Sequence, residues 1–143
     1  AAFWVDPRRH PDFAWLFLAM GHIASARAQA DSAGATSLDA RALMAPLRAV
    51  LAARHGDTAT ARGILEALER DVPLSLQGMW RTAYVAAGWA EAGDAGHALD
   101  LLERIEPRGI GMAYELRKPA LDALRAQPRF QRLVEATRPP GER

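Results

Sequence analysis

Hydrophobic residues recur along this chain at the spacing of amphipathic helices, not with the alternation typical of strands. One stripe begins near Pro11, and a weaker one follows from His22 to Ala33, with only alanines on its apolar face. Further helices are predicted at about 38–55, 58–71, 74–92, 94–105, 119–125 and 128–136. Ala supplies 31 of the 143 residues, which favours closely packed helices. The pattern therefore predicts an all-α protein.

Three short strings along the chain are nearly the same. They lie at residues 21–27, 56–62 and 93–99, and each begins with Gly and places Ala five residues later. The glycines are 35 and 37 residues apart, and a fixed period in this range is typical of stacked repeats. Each string lies between two helical stripes, so the predicted repeating unit is a helix, a tight glycine turn and a second helix.

On these residues the chain resembles the tetratricopeptide repeat family. The small residue of the family's first helix matches Ala14, Ala49 and Ala86, and the slot four residues after the second-helix alanine holds Ala30, Leu65 and Leu102. The resemblance implies a right-handed α-solenoid of three helix-turn-helix repeats, at about 8–38, 39–73 and 74–110. It also implies a single domain over residues 1–143 whose function is to bind another molecule.

The segment from 115 to 130 carries a second resemblance. Its Pro-Ala-Leu-Asp-Ala-Leu-Arg and Pro-Arg-Phe strings look like the closing segment of bacterial multidomain proteins that end in tetratricopeptide repeats. The likeness implies a capping segment at 111–136 and a chain that is the C-terminal module of a larger bacterial regulatory protein. Residues 137–143 are polar and rich in Pro, and we expect them to be disordered.

Composition narrows the class of partner. The chain carries 18 basic and 17 acidic residues and no Cys, so nothing favours nucleic acid, a disulfide framework or a thiolate metal site. The absence of Cys fits a cytoplasmic location, and we expect no insertion into a membrane. A distant alternative is nucleic-acid binding through the basic C-terminal residues, which are Arg117, Lys118, Arg125, Arg129 and Arg132.

The sequence contains few residues in arrangements typical of catalysis or metal binding. The four histidines show no helical metal-site spacing, and no Ser lies in a nucleophile elbow. Glu66, Glu69, Glu103 and Glu106 are expected to form surface pairs with nearby arginines. We therefore expect a non-catalytic protein with no cofactor and no metal.

The resemblance places the binding site in a concave groove lined by the first helices of the repeats. Trp15 and Trp80 stand out there, because large rings at exposed positions are common binding anchors. The alternative is that both are buried packing residues. The implied occupant is a peptide or partner helix, and a second copy of the chain is another candidate. The alternatives are a domain that senses a small apolar molecule or peptide and a homo-oligomerisation domain. The groove residues carried over from the family are Arg8, Trp15, Leu18, Leu43, Val50, Arg54, Trp80, Ala83, Ala87 and Glu91.

Overall fold

The computed structural model describes residues 11–34, 38–72, 78–106 and 109–142, and these ranges contain helices and turns but no strand. The all-α prediction is confirmed at that level. The helices, in chain order, are α1 (Pro11–Ala19), α2 (Ile23–Gly34), α3 (Leu38–Arg54), α4 (Thr58–Asp71), α5 (Met79–Glu91), α6 (Ala95–Glu103), α7 (Ile110–Leu116), a 3₁₀ helix (Pro119–Leu124) and α8 (Pro128–Ala136).

The same turn joins α1 to α2, α3 to α4, and α5 to α6. In the first, the amide of His22 donates to the Phe17 carbonyl at 2.9 Å and that of Gly21 to Leu18 at 3.0 Å. Both bonds recur after Gly56 and Gly93, and all three glycines have φ between 79° and 88°. This is the Schellman motif, whose left-handed residue is most often Gly because a side chain is disfavoured there. The predicted helix-turn-helix units therefore share one turn geometry.

Helix starts are less uniform than the turns. Asp57 caps α4 by accepting from the Thr60 amide at 3.0 Å, and Asp94 caps α6 by accepting from the His97 amide at the same distance. The corresponding position before α2 is His22. Pro46 lies inside α3, which runs through it. The predicted start of the third pair, at 74–77, lies outside the described residues.

Successive helix pairs pack in chain order. The two helices of each pair are in contact, α2 packs on α3, and α3 packs on α5. The second-helix alanines of the three repeats, Ala26, Ala61 and Ala98, are completely buried. This burial matches their expected place at close helix crossings, where a methyl group is about all that fits.

The C-terminal segment differs from its prediction in one element. Helix α7 was not among the predicted helices, whereas the 3₁₀ helix and α8 match their predicted positions. The 3₁₀ helix packs against both α5 and α1 through the buried Leu121 and Leu124. Thr137, expected in the disordered tail, is buried at the end of α8.

Arg129 attaches α8 to α6. Its guanidinium donates to Glu103 at 2.8 and 2.9 Å and to Asp100 at 2.7 Å. These bonds raise the pKa of Arg129 and lower the pKa of Asp100. Glu103 is therefore joined to α8.

Candidate functional site

The structure buries half of the residues that the family resemblance places in a groove. Trp15 is 6% exposed. It therefore does not present the open anchor that the sequence suggested. The other buried members of the predicted groove are Leu18, Val50, Ala83 and Ala87.

The remaining groove residues are at least partly accessible. Trp80 is 37% exposed and Leu43 is half-buried. Arg54 on α3 donates to Glu91 on α5 at 2.9 Å, so the structure brings these two predicted residues together. Arg8 lies outside the described residues. Whether any of the ten binds a partner stays a prediction.

The groove residues are buried because the first and last parts of the chain meet. Trp15 on α1 stacks on Tyr84 on α5, with ring centroids 4.3 Å apart and planes 11° from parallel. The 3₁₀ helix touches both α1 and α5. Helices α1 and α5 therefore contact each other and the 3₁₀ helix, and the Tyr84 ring covers Trp15.

An apolar cavity of about 400 Å³ lies where these elements meet, and we call it the Trp15 cleft. Its walls come from α1, from α5 and from the corner between α7 and the 3₁₀ helix. Tyr84 and Tyr114 were not identified as site residues from the sequence, and Lys118 was named only in the nucleic-acid alternative. The lining residues are Phe13, Trp15, Leu16, Ala19, Tyr84, Tyr114, Lys118, Pro119 and Ala120.

Lys118 is the one charged residue in the lining of the cleft. Its Nζ lies 2.8 Å from Glu115 Oε2 and donates to the Tyr84 hydroxyl at 3.4 Å. It also lies 4.8 Å from the centre of the Tyr84 ring and 5.4 Å from that of Tyr114. Burial lowers the pKa of Lys118, but the neighbouring carboxylate and phenol outweigh burial and raise it above its ordinary value. Lys118 is therefore cationic at neutral pH.

Arg125 holds the corner that carries Lys118. Its guanidinium donates to the carbonyls of Leu116 and Arg117, each at 3.1 Å, and of Lys118 at 2.9 Å. It also pairs with Asp122 at 2.6 Å. These carbonyls follow the end of α7 and would otherwise need water as a donor. Arg125 thus fixes the backbone from which the lysine extends.

Large apolar side chains are exposed along the rim of the cleft. Leu16 is 52% exposed and Tyr114 is 67% exposed, and both line the cavity. One helical turn away, Met20 is 59% exposed and Ile110 is 88% exposed. Residues four apart lie on one helix face, so α1 and α7 each present an apolar edge beside the cleft. We call these four residues the apolar rim.

A second polar cluster joins α4, α5 and α6. The Trp89 Nε1 donates to Glu69 Oε1 at 2.9 Å, and the His97 Nε2 lies 2.9 Å from the same oxygen. The rings of Trp89 and His97 are 4.3 Å apart. Glu69 therefore links three helices and is not part of the surface arginine pairing expected from the sequence. We assign this cluster a role in holding the three helices together. None of its residues lines the Trp15 cleft.

Within the described ranges there is no group of three or more His, Cys, Asp or Glu side chains arranged to hold a metal ion. Nor does any helix there have the length and apolar character needed to span a bilayer.

The cleft residues left a faint signal in the sequence. Trp80 and Tyr84 are four residues apart, and so are Tyr114 and Lys118. Trp80 and Tyr84 lie on one face of α5, where their rings meet edge to face at 6.2 Å, whereas Lys118 lies two residues beyond the end of α7. The spacing groups the residues of each pair. It does not show that Trp15, Tyr84, Tyr114 and Lys118 line one cavity.

The chain matches no protein-family model, no curated protein and no solved structure. The tetratricopeptide resemblance therefore rests on the chain's own residues.

Proposed function

We propose that this chain is a non-catalytic binding module that docks a peptide or a partner helix on its apolar rim. The observation that carries the proposal is the exposure of Leu16, Met20, Ile110 and Tyr114 on two helices that flank one cleft. A contiguous exposed apolar surface commonly marks a site of protein interaction. An amphipathic segment can place its anchors between two such edges.

The finer description of the fold belongs to the same proposal. We interpret the three helix pairs as tetratricopeptide-like repeats of a right-handed solenoid that the C-terminal segment caps. Three equivalent turns and three buried alanines at matching slots support it. The role as the end of a larger bacterial regulatory protein, acting in the cytoplasm, follows from the resemblance alone.

A selection of displayed peptides tests the docking proposal. We expect the wild type to enrich peptides that share apolar anchors at helical spacing. The Leu16→Ser, Tyr114→Ser double variant should lose them, because both changes remove apolar rim without opening the core. The matched control changes Ala59 and Ala126 to Ser, at exposed positions outside the cleft, and should retain binding. No enriched peptides, or peptides that bind the rim variant equally well, would contradict the proposal.

Light scattering during size-exclusion chromatography separates an outside partner from a second copy. We expect a monomer, with the rim free for another protein. A wild-type dimer that the rim variant converts into a folded monomer would instead support the homo-oligomerisation alternative. Rim residues suit this test better than Trp15, whose removal would damage the core.

The Trp15 cleft supports a second candidate function, a domain that senses a small ligand. A volume of about 400 Å³ lies within the range of small-molecule sites, and the lining is mostly apolar and aromatic. Binding in the cleft would join α1, α5 and the capping segment, and so could change how the module presents its rim.

A further inference from the structure

The charged group in the described lining of the Trp15 cleft is a cation. Lys118 is the chain's single lysine and the only cation in the cleft lining that the structure describes. Its ammonium has three N–H groups and two partners within 3.4 Å, namely Glu115 and Tyr84. An occupant that brings acceptors would complement this lining.

The Lys118–Glu115 pair turns its positive member outward. The side chain of Lys118 is 24% exposed, whereas that of Glu115 is 11% exposed. An anion that enters the cleft from solvent therefore meets the ammonium before the carboxylate. A pair in this partly dry setting is stronger than one at an open surface, because the local dielectric constant is lower.

The size of the cleft argues for a small molecule as its occupant. A helix with its side chains is about 10 Å across and rises 5.4 Å per turn, so a cavity of about 400 Å³ holds roughly one turn. A partner helix can lie along the rim but cannot fit inside. A compact molecule of one or two rings, or a medium-length alkyl chain, fits the volume and the aromatic walls.

We propose that the Trp15 cleft binds a small amphiphilic anion, with its apolar body against Trp15 and Tyr84 and its charged group paired with Lys118. This inference rests on the ligand-sensing candidate and names its ligand class. It does not require a peptide on the rim, although Leu16 and Tyr114 belong to both the rim and the cleft lining. Glu115 and Arg125 are positioning residues, since one pairs with the ammonium and the other holds its backbone.

Two fluorescent probes with the same rings test the proposal. 1-Anilinonaphthalene-8-sulfonate carries one sulfonate, and N-phenyl-1-naphthylamine is its neutral counterpart. We expect the wild type to bind the sulfonate probe about tenfold more tightly, the ratio that one charge-assisted hydrogen bond gives. Equal affinities for the two probes would overturn the anion assignment and leave an apolar ligand site. Binding of neither probe would overturn the ligand-sensing candidate as well.

Charge-balanced variants assign the preference to Lys118. Lys118→Met alone would leave Glu115 buried without a partner, so it is combined with Glu115→Gln. We expect this double variant to lose the preference for the sulfonate probe and to keep its affinity for the neutral one. Glu115→Gln alone removes the competing carboxylate and should keep or increase the preference. A preference that survives in the double variant would overturn the proposal.

A blocking variant shows that the probes occupy the cleft. Ala19 is exposed and lines the cavity, so Ala19→Trp should fill the space without entering the core. We expect this variant to melt like the wild type and to bind neither probe. Unchanged probe fluorescence in a folded Ala19→Trp variant would place the binding elsewhere and overturn the assignment. The peptide selection does not depend on any of these outcomes.

Discussion

The two junctions between successive helix pairs, where one pair packs on the next, are filled differently. Between the first and second pairs, Ala30 of α2 borders an open cleft of about 340 Å³ that continues to α3 and α4. Between the second and third, the buried Leu65 of α4 lies against Gly88 of α5, so closely that a Cβ at residue 88 would meet its Cδ2 at 2.8 Å. The same position of the second helix therefore holds a closely packed Leu at the second junction. At the first junction it holds an Ala beside an open cleft.

The polar contacts also differ between the two junctions. Glu69 links Trp89 and His97 across the tight junction at 2.9 Å. At the open junction, Arg48 and Asp31 are 3.7 Å apart and both substantially exposed. Exposed pairs of this kind contribute little to stability. The comparison suggests that the later pairs form the stable centre of the domain and that the first pair is held more weakly.

The largest expected effect comes from emptying the tight junction. Leu65→Ala should lower the free energy of unfolding by about 2–5 kcal/mol, because it removes a fully buried side chain and leaves a cavity. Urea denaturation monitored by circular dichroism measures the loss. A loss below about 1 kcal/mol would show that the two junctions do not differ as described.

Ala30→Leu is the counterpart at the open junction. Space beside Ala30 is available, so the added side chain should leave stability unchanged or raise it by up to about 1 kcal/mol. A loss of more than about 1 kcal/mol, typical of overpacking, would show that the cleft cannot accept the larger residue.

A smaller effect is expected at the helix caps. Asp94→Ala should cost about 0.5–2 kcal/mol, because the His97 amide at the start of α6 loses its acceptor. His22→Asp should raise stability by up to about 1 kcal/mol, because it places the same cap before α2. Thermal unfolding measures both changes. If His22→Asp has no effect, the missing cap does not explain the weaker first pair.

The smallest effect is a dependence on pH. A hydrogen bond with Thr60 lowers the pKa of Asp57 in the folded chain. Its contribution is therefore complete above the unfolded pKa of about 3.9 and is lost as pH falls through the lower folded value. Asp57→Asn keeps a capping acceptor that does not titrate. Its stability should fall less steeply than that of the wild type between about pH 5 and 3. Parallel curves would exclude this contribution.

The sequence predicts the parts of the fold that depend on neighbouring residues. Each turn needs a glycine with positive φ, and the period of Gly21, Gly56 and Gly93 reveals all three. Helix α2 begins and ends within one residue of its prediction, and Asp57 is one of the two residues named as the cap of α4. Local chemistry determines these features, so local patterns are sufficient to find them.

The candidate site was largely beyond prediction because it depends on contacts between distant residues. Trp15 was expected to be exposed because the family resemblance places it in a groove, and the ring that covers it belongs to Tyr84. Helix α7 was missed because two glycines lower the helix propensity of its start, while Met112, Glu115 and Leu116 are buried by tertiary packing. A stripe on one helix shows which face is apolar, but not which element covers it.

The contact between α1, α5 and the 3₁₀ helix affects whether the fold can accept a further helix pair. An open array can gain or lose a repeat by duplication or deletion, since each unit meets only its immediate neighbours. Here the first helix stacks on the fifth and touches the capping segment. An inserted fourth pair would separate Trp15 from Tyr84. We therefore expect the side chains around the cleft to vary more readily than the number of helix pairs.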